Sequence, residues 1–263
     1  MTTLATIALR VARVCTDVLD GTATAGAATS LTDTGNLIQN NEYWDRGTLW
    51  LTSGLLSGRV LPVSGYALNK LTFATVAPGT VAVGNRFSVA RRIYPWNQIV
   101  SAVNEALEGI HVIDEDVTLI GDGETLEFTL PDGVSRIARV EIENAGDPLD
   151  RFPSTHWAER AGEIRFHDGY APRDTEPIHL FFRAEHPHLS TYSDEINPDV
   201  NMEWLRWKAA ECLLYWGMEQ YGEAKEFRIE ERMNRALERQ KGIMPAKPVI
   251  IVQTAGGTRD VWR

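Results

Sequence analysis

Apolar side chains recur at Leu4, Ile7, Val11, Val14 and Val18, in steps of three and four that put all five on one helical face. Arg10, Arg13 and Asp17 fall on the other side and Gly21 offers a stop, so a helix is predicted from about Thr3 to Leu19. A helix this short is marginal alone and needs a neighbour to cover its stripe. From Gly21 to Arg92 the pattern changes to short runs rich in Gly, Thr, Ser and Val and poor in charge. Strands are predicted at Ser30–Leu31, Thr48–Thr52, Arg59–Val63, Lys70–Phe73 and Arg86–Ala90, punctuated by turn signals such as Asp33-Thr34-Gly35, Asp45-Arg46-Gly47 and Ala77-Pro78-Gly79. That spacing predicts a small antiparallel barrel or sandwich, with Tyr43, Trp44, Trp50 and Phe73 available for its core.

Helical spacing returns from Pro95 to about Ile110, with Ile99, Val103, Ala106 and Ile110 on one face and Pro95 in the first turn. A second β region follows, from Val112 to Ala184. It alternates at Leu126, Phe128 and Leu130, turns at Pro131-Asp132-Gly133, resumes at Ile137, Val140 and Ile142, and alternates again through Ile178, Leu180 and Phe182. The longest helical signal runs from about Asp199, read as the cap, to Lys241, through Met202, Leu205, Ala209, Cys212 and Trp216. Gly217 and Gly222 weaken its middle. Trp204 and Trp207 lie off the face of Leu205 and Ala209, so this helix is apolar on more than one side and belongs inside a bundle or an assembly. Pro245 and Pro248 end it, and a strand-like run follows over Val249, Ile250, Ile251 and Val252.

These elements predict an α+β chain: a bundle of N-terminal, middle and long C-terminal helices carrying two inserted antiparallel β modules. The expected segments are residues 1–20 (bundle helix), 21–94 (β module), 95–111 (bundle helix), 112–190 (second β module), 191–244 (C-terminal helix region) and 245–263 (strand and tail).

Composition narrows the function classes. The chain has 263 residues, 43% hydrophobic and 24% charged, and a formal charge of -10, which disfavours a surface for non-specific nucleic-acid or anionic-membrane binding. Between Ile110 and Asp150 eleven acidic residues face two basic ones, so most of the net charge belongs to the second β region. Cys15 and Cys212 lie far apart in helical contexts and read as core residues made in a reducing cytoplasm. No apolar run is long enough to span a bilayer, and Arg10 and Arg13 interrupt the N-terminal apolar stretch, so neither a membrane span nor a signal peptide is expected.

The sharp catalytic motifs are missing: there is no Walker loop, Gly-x-Ser-x-Gly elbow, His-Glu-x-x-His or Cys-x-x-Cys. His156, His167, His179, His186 and His188 crowd one stretch, but their spacing matches no ligand pattern, and His179 alternates outward between inward Ile178 and Leu180. No catalytic residue, metal or cofactor is expected. Lys225, Arg228, Arg232, Arg235 and Arg239 make a basic stripe on the last helix, readable as a solvated face, a contact to a nucleic-acid backbone, or a dock for an acidic surface. The third reading is preferred to the second, because the acidic β region of a neighbouring copy supplies the surface. The Val249–Val252 run suits strand addition to an adjacent subunit.

The stretch "GTATAGAATSLTDTGNLIQNNEYWDRGTLWLTSGLLSGRVLPVSGY" resembles a module that recurs in tailed-phage virion proteins. The order "NQIVSAVNEALEGI", "ETLEFTLPDGVSRIARVEI", "GEIRFHDG", "IHLFFRAEHPHLS" and "WLRWKAAECLLYW" resembles neck proteins of the head–tail adaptor (connector) type. The resemblance covers most of the chain, from about Gly21 to Arg239, on motifs built from turns and hydrophobic spacing. It implies a virion structural protein, not an enzyme: a homo-oligomeric ring, a dodecamer, in the neck, assembled in the host bacterial cytoplasm. The ring would stand on the portal protein, meet the tail terminator or other neck and tail proteins, and pass genomic DNA through its centre. Adaptor-type proteins are usually shorter and carry at most one β insertion, so residues 21–92 depart from the pattern. On this reading Glu124, Glu127, Glu141 and Glu143 are candidates for an acidic lumen that repels phosphate, while the basic stripe and Val249–Val252 form the subunit or portal interface. The alternatives are a minor tail or baseplate protein, and a glycan-binding virion protein using Trp44, Trp50 and Trp157 as platforms.

Overall fold

A computed structural model describes residues 2–144, 147, 149–167, 169–221 and 228–247. The chain divides into two compact units, one from Met1–Glu108 with Pro187–Pro245, the other from Gly109–His186 with the described part of Ala246–Arg263.

In the first unit, β1 (Thr2–Thr3) pairs with β16 (Glu195–Ile196) and leads into α1 (Leu4–Cys15), which buries Leu4, Ile7, Val11 and Val14. The first free N–H groups of α1 donate to the carbonyls of Asp194 and Tyr192, which take the place of a side-chain cap. The helix ends before Val18. Val18 and Leu19 open β2 (Val18–Thr22) instead, paired with Ala90 and Val89 of β8 (Arg86–Ala90). Val18 fits both periodicities, and the long-range pairing decides. Gly21 is therefore no helix stop. A Cβ there would lie 2.4 Å from the Phe87 ring, so its bareness admits that ring against the strand.

The remaining strands of this region are β3 (Ala25–Gly26), β4 (Ser30–Thr32), β5 (Thr48–Leu51), β6 (Val60–Ala67) and β7 (Lys70–Phe73). They form one antiparallel seven-stranded sheet in the order β2-β8-β5-β6-β7-β4-β3. Its two edges, β2 and β3, are joined by just Ala23 and Thr24, whose N–H groups donate to Asn85 of one side and Thr32 of the other. A link that short brings the edges together, so the sheet is rolled into a barrel. Leu31, Leu49, Leu61, Leu71, Phe73, Phe87 and Val89 fill it, with Trp44 and Tyr66. Trp50 is buried too, but outside this core; with Thr48, Ser88 and Ala90 it makes the second face of β5 and β8, where Arg13 of α1 reaches the Ser88 hydroxyl. Tyr43 stays on the surface, under the Arg91 guanidinium.

α2 (Trp96–Leu107) and α3 (Met202–Tyr221) complete the unit with α4 (Ile229–Gln240). α3 is the central helix, packed by α1, α2 and α4, which explains its apolar residues on several sides. Its cap is Asn201, whose side-chain oxygen accepts from the Glu203 and Trp204 N–H groups, rather than Asp199. The predicted single C-terminal helix is a hairpin: the Gln240 amide reaches back to the Trp207 carbonyl and to Glu211. Gly217 does not break α3. A Cβ at Gly217 would meet the Tyr94 ring, its hydroxyl at 2.5 Å, and Tyr94 is itself 1% exposed. That hydroxyl has no hydrogen-bond partner among the described residues. Gly217→Ala is expected to cost about 1–3 kcal/mol by overpacking, against the gain of about 1 kcal/mol that alanine brings to a helix. Tyr94→Phe, which removes an unsatisfied buried hydroxyl, should be neutral or stabilising and should recover part of the Gly217→Ala loss in the double variant. Urea unfolding of the four proteins checks this, and additive effects would show that the two sites do not touch.

The second unit is all β. β9 (His111–Ile120), β11 (Ile137–Glu143), β12 (Arg151–Ser154) and β15 (Pro177–Glu185) form a sheet in the order β12-β11-β15-β9. β10 (Glu127–Thr129), β13 (Trp157–Arg160) and β14 (Glu163–Phe166) form another in the order β10-β14-β13. Both sheets supply one core, from Ile137, Val140, Ile142, Ile178, Leu180 and Phe182 on one side and Trp157, Ile164 and Phe166 on the other, the arrangement of a sandwich.

The fold class expected from sequence is corrected by this architecture. Among the described residues strand accounts for about 33% and helix for 24%, in four helices and several antiparallel sheets, so the protein is not a helical bundle with small β inserts. The barrel shares one unit with the helices, and β5 and most of β8 are buried on both faces; it is a large part of that unit rather than an appendage.

Candidate functional site

α4 buries Ile229, Met233 and Ala236, spaced by four and three, and turns a neighbouring face outward. Arg228, Arg232, Arg235 and Arg239 lie along that face, with Arg228 in the left-handed region at φ 49° just before the helix. Arg232 is drawn inward. Its guanidinium donates to Asp17 at 2.8 Å and to the Val14 carbonyl at 3.2 Å, one of the carbonyls left open by the last turn of α1. Arg228, Arg235 and Arg239 are exposed and form no ion pair among the described residues. Between α4 and the α1–β2 junction lies a polar cleft of about 430 Å³, lined among others by Arg13, Asp20, Arg228, Glu231 and Arg235. Arg13 there is held by Asp20 at 2.7 Å. Lys225, Val249, Ile250, Ile251 and Val252 lie outside the described residues.

The four glutamates expected to line a lumen do not form one surface. Glu124 is exposed in the turn before β10. Glu127 is on β10 of the three-stranded sheet, paired with Arg165 at 3.2 Å. Glu141 and Glu143 are on the outer face of β11 in the other sheet. Glu141 pairs with Arg139 at 3.2 Å, and Glu143 lies 2.8 Å from His179 and 3.6 Å from Arg151. Glu124 alone of the four has no cationic partner among the described residues. Asp114, Asp116 and Asp122 share that freedom, and the sequence reading passed over them. Alternation shows which face of a strand a carboxylate occupies, but not which arginine of the next strand stands beside it. The Asp122 carboxylate is held down to about 2 by the Thr125 hydroxyl and the Thr125 and Glu124 N–H groups, so it stays charged over the physiological range.

His179 does point away from Ile178 and Leu180, yet it is buried. Its Nδ1 lies 2.6 Å from Glu115 and its Nε2 2.8 Å from Glu143, and Arg151 approaches both glutamates. His156 stacks on Tyr170 with ring centres 3.7 Å apart. Among the described residues no group of three His, Cys, Asp or Glu is placed to hold a metal ion. Both cysteines are buried, and burial pushes the Cys15 thiol up and the Cys212 thiol up to about 12, so neither is a ready nucleophile. Trp44, Trp50 and Trp157 are all buried, which removes them as sugar platforms. No helix among the described residues is long and apolar enough to cross a membrane. No protein-family model matches the chain, and no curated protein matches it.

Proposed function

We propose that the chain is a structural subunit of a tailed-phage neck, forming a ring that joins portal to tail. The order of its sequence motifs suggests the class. The observation that carries the mechanism is the row Arg228, Arg235 and Arg239: three exposed guanidinium groups with no ion pair among the described residues, along one helix of a chain with a net charge of -10. Such a row gains most from an acidic surface on another subunit, and copies of this chain offer Asp114, Asp116, Asp122 and Glu124. A patch that meets a different patch is heterologous, and heterologous contacts whose rotation closes make rings. The work is mechanical and electrostatic, with no chemical step.

The mass of the protein in solution, alone and mixed with a portal ring, tests this reading. A ring, or a monomer that assembles on the portal, is expected. Charge reversal at the three arginines (Arg228→Glu, Arg235→Glu and Arg239→Glu) should weaken that association by about 10- to 100-fold, and raised salt should weaken it in the unaltered protein. A monomer indifferent to the portal at low salt sinks the proposal.

A further inference from the structure

We infer that the cleft between α4 and the α1–β2 junction binds a small oxyanion of the phosphate class, inorganic phosphate or a short polyphosphate, within a single chain. Four guanidinium groups line it, from Arg13, Arg228, Arg232 and Arg235, against three carboxylates, from Asp17, Asp20 and Glu231. Two of those carboxylates are engaged inside the walls. Asp20 accepts from the Arg13 guanidinium at 2.7 Å and from the hydroxyl of buried Ser88. Asp17 accepts from Arg232 at 2.8 Å, while the other terminal nitrogen of Arg232 covers the Val14 carbonyl at 3.2 Å, and with it the negative end of α1. These bonds fix two guanidinium groups and leave them donors to give: among the described residues Arg13 uses its Nη2 alone, and the Nε of Arg232 is unused. Arg228 and Arg235, with no ion pair among the described residues, stand against Glu231. α4 also starts there, and no side chain caps its first turn, so the positive end of the helix adds to a charge that the arginines already supply.

The donor set selects the ligand. A carboxylate presents two oxygens in one plane, which suits one guanidinium fork; phosphate presents its oxygens in a tetrahedron, which suits forks arriving from α1 and from successive turns of α4. No aromatic residue lines the cleft, so a nucleoside has no ring to stack on, and Val14 and Val18 are its apolar members. A volume of about 430 Å³ is that of a small-molecule site and has room for linked phosphates. A chain with a charge of -10 repels a DNA duplex over most of its surface, whereas a small anion inside the cleft feels the nearby guanidinium groups and is screened from the rest. Arg228 and Arg235 also belong to the row proposed to dock on an acidic surface, so phosphate and that surface compete for them. The site is complete in one chain and does not depend on the ring.

Titration calorimetry of the whole protein with inorganic phosphate and with tripolyphosphate, at low and constant ionic strength, should show saturable binding, tighter for tripolyphosphate. Arg228→Gln and Arg235→Gln, at exposed positions with no ion pair to lose, should each weaken it by about tenfold and leave folding unchanged. Arg239→Gln, on the same helix but outside the cleft, should leave binding as it was. Acetate at equal ionic strength should not compete. No saturable binding up to about 10 mM phosphate or tripolyphosphate overturns the inference. So does a loss shared equally by the three arginine variants, which is the mark of general charge rather than of a site. Acetate that competes as well as phosphate makes the cleft a carboxylate socket and overturns it too. A short DNA duplex that binds where both free phosphates do not gives the arginines to a nucleic-acid backbone, and the small-ligand site falls. The titration needs no portal, so phosphate binding and the ring reading succeed or fail separately.

Discussion

Asp33→Ala is expected to lower the stability of the barrel unit by about 3–5 kcal/mol, because one buried carboxylate holds four donors. Asp33 is 1% exposed. One of its oxygens accepts from the Thr22 N–H at 3.0 Å and the Asn36 amide at 2.8 Å; the other accepts from the Gly35 and Asn36 N–H groups at 2.9 and 3.1 Å. Thr22 ends β2 and Asp33 follows β4, so the carboxylate ties the two sides of the seam where the sheet closes. Asp33→Asn keeps the shape but has one acceptor oxygen, so its NH2 group faces two donors and most of the cost should remain. Burial alone would raise the Asp33 pKa; the Asn36 side chain and the Asn36, Thr22 and Gly35 N–H groups outweigh it and hold the carboxyl below its ordinary value. A depressed folded-state pKa gives stability that is fully present above the unfolded value, about 3.9, and is lost as pH falls through the lower folded value. The gap between the unaltered protein and Asp33→Asn, measured by urea unfolding, should therefore be widest near neutrality and close in strong acid. A gap that grows as pH falls would assign the charge a destabilising role.

Local pattern and long-range pairing contributed differently to what was legible in the chain. Lys70–Phe73 and Arg86–Ala90 are strands with the bounds expected of them, because the turns that flank them are local signals, as is the alternating burial of Lys70–Phe73. β2 was hidden inside a helical spacing, since Val18 fits an apolar stripe as well as a strand and its partner Ala90 lies far along the chain. Missing β2 left the choice between barrel and sandwich open, and the β module then read as a small insert among helices. The reversal between α3 and α4 was hidden for the same reason: arginines stepping by three and four continue the period of the helix before them. At the candidate site the basic stripe was legible because it is a feature of one helix. That Arg232 faces Asp17 was not, because α1 and α4 come from opposite ends of the sequence. The acidic region was legible as a net charge but not as a surface, since Arg151 and Arg165 meet particular glutamates across paired strands and Arg139 meets Glu141 along its own strand.

His179→Leu is expected to cost the sandwich about 3–5 kcal/mol, more than an ordinary surface substitution, although the residue lies on the outer face of its sheet. The side chain is 4% exposed, between Glu143 at 14% and Glu115 at 40%. Each ring nitrogen faces a carboxylate oxygen, and both contacts are hydrogen bonds when both nitrogens carry hydrogen. The ring then links β9, β15 and β11, three adjacent strands, while Arg151 of β12 reaches the same two glutamates from the fourth. Leucine fills the volume but leaves Glu115 and Glu143 facing each other with Arg151 as their one shared cation, and Glu143 has little water to turn to. Removing one partner of a hydrogen-bonded, partly buried set is the costly step; removing the set is not. The triple variant His179→Leu, Glu115→Leu and Glu143→Leu should therefore recover most of the loss, because Arg151, 37% exposed, can turn to solvent. Urea unfolding of the single and triple variants decides between a charge network and a packing role. If the triple variant is less stable than the single one, the carboxylates matter to the sheet in their own right and the ring is not the centre of the network.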